Sequence, residues 1–213
     1  MQISEPIATK IAEYLLQIKA IKLQPNDPFT WASGIKSPIY SDNRLSLSHP
    51  AIRTFIKDAL AQAIKINYPE VEAIIGVATA GIAPGALVAD ALNLPFGYVR
   101  SEPKKHGMGK QVEGDILPTQ KVVVIEDLVS TGKSSLQAIE VLRDFGSDVL
   151  GLASIFTYGL NSAEANFNNA NCKLFSLCNY DVLIEAAVAK GYVSAADREA
   201  LSAWKSNPES WGK

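Results

Sequence analysis

Between Val122 and Ser135 the chain reads Val-Val-Val-Ile-Glu-Asp-Leu-Val-Ser-Thr-Gly-Lys-Ser-Ser, and no other stretch restricts its fold so tightly. Val122 to Ile125 form an unbroken β-branched run, too short for a helix and suited to a strand buried on both faces. The carboxylates Glu126 and Asp127 follow at its C-terminal end, then the small residues Ser130, Thr131 and Gly132. Leu136, Ile139, Val141 and Leu142 recur near helical spacing, and Gly146 stands where a helix stops. Strand, acidic pair, glycine-containing turn and helix N-terminus make an anion site flanked by carboxylates. The free N–H groups and the positive end of the helix dipole suit a phosphate. The carboxylates suit sugar hydroxyls or a metal ion.

Gly132-Lys133-Ser134 imitates the end of a Gly-x-x-x-x-Gly-Lys-Ser/Thr phosphate loop. That loop requires glycine at position 127, where this chain has Asp127, whose charge would repel the phosphates of a nucleoside triphosphate. The bland alternative is an ordinary strand–turn–helix with a solvated acidic pair. The run Val122–Ser135 resembles instead the ribose-5-phosphate signature of the type I phosphoribosyltransferases, which use 5-phosphoribosyl 1-pyrophosphate (PRPP). The resemblance implies that Glu126 and Asp127 hold the ribose hydroxyls. It implies that the PRPP-binding run continues through Leu128, Val129, Ser130, Thr131, Gly132, Lys133 and Ser134, with the loop Ser130–Ser134 holding the 5′-phosphate.

Bulk properties narrow the class. A chain of 213 residues is of one-domain size. Its formal net charge of −2 argues against a general nucleic-acid binder. No apolar run approaches the ~20 residues of a membrane span. The N-terminus lacks a basic-then-apolar export pattern, which predicts a cytoplasmic protein. Cys172 and Cys178 on one extended segment would lie ~17–20 Å apart, too far to bond to each other. No Cys/His cluster suggests zinc.

Ile7, Ile11, Leu15, Ile18 and Ile21 predict a helix across most of Ile3–Ile21, with Ser4 as its N-cap and Pro6 just inside. A turn through Pro25–Pro28 follows. Phe29–Arg44 contains Ser-Gly-Ile-Lys-Ser-Pro; by itself it is a β-hairpin with a glycine turn, and it resembles the N-terminal hood of the orotate phosphoribosyltransferases. In that frame Lys36 and Arg44 are the cations for an anionic base, Arg44 offering the fork that matches a carboxylate. Ile39, Tyr40 and Ser130 are further candidates for orotate. Ile52, Phe55, Ile56, Leu60, Ala63 and Ile64 predict a second helix, with His49 a surface or capping residue. Val71–Ala78 reads as a core strand running into Thr79-Ala80-Gly81, a small-residue loop that the resemblance assigns to pyrophosphate through its N–H groups.

After a short strand, Phe96–Val99, comes a polar segment from Arg100 to Gly114 carrying Lys104, Lys105, His106 and Lys110 against Glu102 and Glu113. Its bland reading is a solvated loop. Its Arg-x-x-x-Lys-x-His-Gly spacing resembles the mobile catalytic loop of the orotate enzymes, which implies Arg100, Lys104 and His106 as catalytic, pyrophosphate-facing residues with Lys105 beside them. Such a lid neutralises the leaving group and excludes water. In that family the loop reaches the neighbouring subunit's site, so a homodimer is implied. The chain departs from common family patterns at Ala32, Ala80 and Ser101, where many relatives carry lysines. It departs again at Tyr158-Gly159, where several carry an arginine for the base. Further strands are expected over Val149–Tyr158 and Lys173–Cys178, a helix-containing crossover over Asn161–Asn171, and closing helices over Tyr180–Lys190 and Ser194–Lys205.

The expected fold is α/β: one domain with a mostly parallel sheet flanked by helices, and a hood of about residues 1–45 that the C-terminal segments could join. The resemblance implies magnesium-dependent, reversible transfer of phosphoribose from PRPP to N1 of orotate. The metal would be held indirectly at Glu126 and Asp127 through ribose hydroxyls and pyrophosphate. A purine phosphoribosyltransferase and a non-catalytic PRPP sensor stay open as rivals.

Overall fold

The computed structural model describes residues 5–30, 34, 36–102 and 111–211. It begins with helix α1 (Glu5–Gln17), strands β1 (Ile21–Leu23), β2 (Phe29–Thr30), β3 (Lys36–Ser37) and β4 (Ile39–Ser41), and a 3-10 turn (Asn43–Ser48). The middle comprises α2 (Pro50–Asn67), β5 (Ala73–Val77), α3 (Ile82–Leu92), β6 (Phe96–Val99), β7 (Val112–Glu113), β8 (Lys121–Val129) and α4 (Lys133–Phe145). It closes with β9 (Asp148–Thr157), α5 (Asn161–Asn169), β10 (Leu174–Asn179), α6 (Tyr180–Ala189) and α7 (Asp197–Ser206).

Six strands form the central sheet in the order β10-β9-β8-β5-β6-β7. All neighbours run parallel except the β6–β7 pair. This is the mostly parallel, helix-covered sheet expected from the sequence. Because side chains alternate along a strand, β8 feeds two cores. Val122 and Val124 pack with Ala138, Ile139 and Leu142 of α4 and Phe167 of α5. Val123 and Ile125 join the opposite core with Ile56 and Leu60 of α2, Val88 of α3 and Ile11 and Leu15 of α1. Each such fully buried aliphatic side chain contributes about 1.5–3 kcal/mol of transfer free energy. The buried Cys172 and Cys178 carry free thiols.

Several element boundaries differ from those expected. The first helix ends at Gln17, and Ile21 opens a strand that pairs with Ser41. Lys19 sits at φ 57°, a left-handed turn that breaks the helix two residues beyond its end. Ser4, the expected N-cap, lies outside the described residues. The long apolar strand does not stop before the acidic pair. Pairing with β9 carries β8 on through Glu126↔Ser154 to Val129↔Thr157, so both carboxylates lie within it. On the other side, pairing with β5 ends at Gly76↔Ile125, which leaves that flank of the acidic pair open.

The expected hairpin is present as β2 paired antiparallel to β3, with Gly34 at φ 82° between them. Pro208 follows α7, and Gly146 ends α4 at φ 102° while Ser147 N–H donates to the Leu142 carbonyl at 2.9 Å. The C-terminal helix braces the N-terminal strands. Trp204 packs edge-on against Tyr158 with ring centroids 5.5 Å apart, and the Tyr158 hydroxyl donates to Ser41 Oγ at 3.3 Å. Asn26 Nδ2 donates to Asp197 Oδ1 at 3.3 Å.

Candidate active site

Alternation along β8 sends the two adjacent carboxylates to opposite faces of the sheet. Glu126 faces α4, where its Oε2 accepts from the Ser135 hydroxyl at 3.2 Å and its Oε1 from the Asp127 N–H at 3.1 Å. Asp127 faces the hood side and shares a small cavity with Asn43, Arg44, Ala80 and Pro84. Burial, and then the neighbouring Asp127 charge, push the Glu126 carboxyl up to about 8. Burial raises Asp127 as well. A buried and a half-buried carboxylate, neither with a salt-bridge partner among the described residues, make a site that a cation or sugar hydroxyls would relieve.

Beyond β8 the chain turns through Ser130 and Thr131 to Gly132, which takes φ 78° and precedes the first residue of α4. The glycine is required twice over. Its backbone is left-handed, and a Cβ there would come within 2.5 Å of the Phe167 ring. The N–H groups of Ser130, Thr131 and Gly132 donate to no acceptor among the described residues. They line, with Leu128 and Lys133–Ser135, an open cavity of about 320 Å³. Unpaired N–H groups at a helix N-terminus form an anion cradle.

Two further segments converge on this edge. The loop after β5 runs Ala78–Gly81, with a cis peptide between Ala78 and Thr79. A Cβ on Gly81 would collide with the Ile125 carbonyl oxygen, so only glycine lets this loop lie directly against β8. Gly81 N–H donates to the Val77 carbonyl at 2.9 Å, whereas those of Thr79 and Ala80 have no acceptor among the described residues. Arg100 lines a cavity shared with Ser134 and Gln137 of α4, on the flank of the cradle. It reaches Glu113 Oε1 at 3.5 Å and donates through Nε to the Glu102 carbonyl at 3.3 Å.

On the hood side Arg44 is exposed and gripped bidentately by Asp42, Nε to Oδ1 at 2.6 Å and Nη2 to Oδ2 at 3.0 Å. The next residue, Asn43, donates from Nδ2 to the Asp127 main-chain carbonyl at 2.8 Å and ties this turn to β8.

The comparisons with known proteins fit this geometry. Residues 46–179 match the phosphoribosyl transferase domain family. The orotate phosphoribosyltransferase of Listeria innocua is 56% identical over 207 residues, covering 97% of this chain and 99% of that protein. That of Porphyromonas gingivalis is 57% identical over 202 residues, covering 95% and 96%. The chain belongs to the orotate phosphoribosyltransferase family. A crystal structure of the orotate phosphoribosyltransferase from Aeropyrum pernix superposes with a TM-score of 0.74 at 30% identity, covering 86% of this chain and 99% of that one. The UMP synthase of Leishmania donovani shares the fold at a TM-score of 0.78 and 23% identity, over 94% of this chain and 42% of that one.

For a member of the orotate phosphoribosyltransferases, a family of pentosyl-transferring enzymes, the candidate residues divide as follows. Glu126, Asp127, Ser130–Ser134, Thr79, Ala80, Arg100 and Arg44 gather around the C-terminal edge of the sheet, where open α/β folds bind ligands. Val129 is only 1% exposed, and its carbonyl accepts from Thr157 Oγ1 and Tyr158 N–H, so it holds the sheet together. Ile39, a candidate for orotate, is fully buried in the core, so its side chain is not open to a base. Tyr40 is 43% exposed and tilted against Phe29. Lys36 is exposed on β3 and donates to Thr30 Oγ1 at 2.9 Å. Lys104, Lys105 and His106 lie outside the described residues, as does Ala32. Sequence reasoning passed over Asp42, Asn43 and Ser135. Asp42 was within reach of it, as an acid two residues before the candidate arginine.

Proposed function

We propose that this chain catalyses the magnesium-dependent, reversible transfer of 5-phosphoribose from PRPP to N1 of orotate. The products are orotidine 5′-monophosphate and pyrophosphate, which places the reaction in de novo pyrimidine nucleotide biosynthesis leading to UMP. The observation that carries this reading is the convergence of three elements on one sheet edge: the acidic pair with its buried glutamate, the N–H groups of Ser130–Gly132 that have no acceptor among the described residues, and the small-residue loop at Thr79–Gly81. The relatives that span nearly the whole chain are orotate phosphoribosyltransferases, which supports it.

The division of labour follows from position. The cradle after β8 takes the 5′-phosphate, and Asp127 with Glu126 accepts hydrogen bonds from the ribose hydroxyls. Thr79 and Ala80 turn their N–H groups to the pyrophosphate, with Arg100 beside it and the lysines and histidine of the 100–114 segment closing over it. Charge leaves with the pyrophosphate as the ribose carbon gains cationic character, so fixed donors at the leaving group lower the barrier. Arg44, held in one orientation by Asp42, meets the orotate carboxylate. Orotate already deprotonated at N1 is a competent nucleophile, and the protein's main contribution is alignment. No group of three or more His, Cys, Asp or Glu suited to a metal occurs among the described residues. Glu126 and Asp127 would fit Mg²⁺, an ion that takes one or two carboxylates and otherwise prefers water and substrate oxygens. When bound it supplies charge neutralisation between ribose and pyrophosphate.

Orotate consumption followed by ultraviolet absorbance, with and without PRPP and magnesium, tests the reading. Turnover that requires both is expected. Turnover of adenine or hypoxanthine with none of orotate would transfer the protein to purine chemistry, and PRPP binding without turnover of any base would make it a sensor.

A further inference from the structure

The cradle after β8 works only if its N–H groups point outward, and one side chain from a distant helix fixes that direction. Asn166, in the middle of α5, donates from Nδ2 to the Thr131 carbonyl oxygen at 3.0 Å. In a trans peptide the carbonyl and the following N–H point in opposite directions. Holding the Thr131 oxygen toward α5 therefore aims the Gly132 N–H away from α5, into the cavity that Ser130–Ser135 line. The ring of the neighbouring Phe167 fills the space that a Cβ on Gly132 would need. Helix α5 is itself anchored to α4, since Arg143 donates to the carbonyls of Ala170 at 2.8 Å and Asn171 at 3.3 Å.

We propose that Asn166 is a positioning residue for the 5′-phosphate, acting through the Thr131–Gly132 peptide and touching no substrate itself. The inference rests on the assignment of this loop to the sugar phosphate made above. Without Asn166 the Thr131 carbonyl turns to water at little cost, and the peptide samples orientations in which the Gly132 N–H no longer faces the anion. Binding then carries the entropy of fixing that peptide, which Asn166 otherwise supplies in advance. Because the side chain is exposed and α5 keeps its packing through Ala163 and Phe167, its replacement leaves the fold intact.

Calorimetric titration of wild type, Asn166→Ala and Asn166→Asp with ribose 5-phosphate, and separately with pyrophosphate, tests this. Asn166→Ala should weaken ribose 5-phosphate about 5- to 10-fold, the worth of one net hydrogen bond. Asn166→Asp, which sets an acceptor against the Thr131 carbonyl, should weaken it further. Pyrophosphate affinity, kcat, KM for orotate and the unfolding midpoint should stay at wild-type values while KM for PRPP rises with the ribose 5-phosphate constant. Equal ribose 5-phosphate affinity in all three proteins would overturn the assignment. So would equal losses for both ligands accompanied by a lowered midpoint, which would mark a general structural role. Failure of the wild type itself to bind ribose 5-phosphate would instead bring down the functional reading on which the inference stands.

Discussion

Glu126 and Asp127 are adjacent in sequence yet occupy different environments, and the difference has a consequence for stability. Glu126 is 6% exposed, and its carboxyl is raised from 4.5 to about 8. A raised carboxyl favours the protonated folded state. Its contribution to stability is therefore full below pH 4.5 and is lost as pH climbs through about 8. Replacing it by the neutral isostere removes the buried charge and keeps the Ser135 contact. Glu126→Gln should be more stable than wild type at pH 9, by on the order of 2 kcal/mol, with the advantage gone near pH 5. The same variant should bind PRPP less tightly, since functional sites hold charge at the expense of stability. Urea unfolding at the two pH values measures the first effect, and an advantage that does not grow with pH would refute it. The acidic pair and the glycine turn were legible because their signal is local. Asn43 and Asn166 were not, since their partners lie 84 and 35 residues away in the chain and an isolated asparagine carries no pattern.

At the scale of elements, the helices and strands that the apolar periodicity marked are present, and the misplaced boundaries share one cause. Ile18 and Ile21 continue the spacing of the first helix, but Ile21 is claimed by pairing with Ser41 across the hood. Glu126 to Val129 look like a strand's exit, yet β9 continues to pair with them. In both places a tertiary partner overrode local propensity. The C-terminal helix shows the same dependence in its energetics. Its Trp204 is fully buried between Tyr158 and Tyr180, with centroids 5.5 and 5.3 Å away, and Tyr158 in turn reaches Ser41 of β4. Trp204→Ala should destabilise the protein by about 3–5 kcal/mol, the usual cost of emptying a large aromatic site. Because the tyrosine it supports bonds to the strand that leads into Asp42–Arg44, KM for orotate should rise more than KM for PRPP. Denaturant unfolding and steady-state kinetics read the two effects. A variant that loses stability with both KM values unchanged would show that α7 supports the core alone.

For the whole molecule, the parallel sheet order gathers the ends of β5, β6 and β8 on one edge, and with them three of the segments that the sequence marked for chemistry. The rest of the segment after β6, with Lys104, Lys105 and His106, lies outside the described residues, and the family resemblance implies that it serves the neighbouring subunit's site. That arrangement has a quantitative signature. Consider one chain carrying Lys104→Ala and a second carrying Glu126→Ala with Asp127→Ala, each inactive as a homodimer. If the loop acts across the dimer, a mixed dimer contains one site with both defects and one with neither. Random reassortment of equal amounts makes half of the dimers mixed, so about a quarter of wild-type activity should return. If the loop acts on its own subunit, every site in the mixed dimer retains a defect and activity stays at the background of the parents. Co-refolding the two variants and assaying orotate consumption separates these outcomes, and activity that remains at background would place the catalytic lysine and the ribose carboxylates on the same chain.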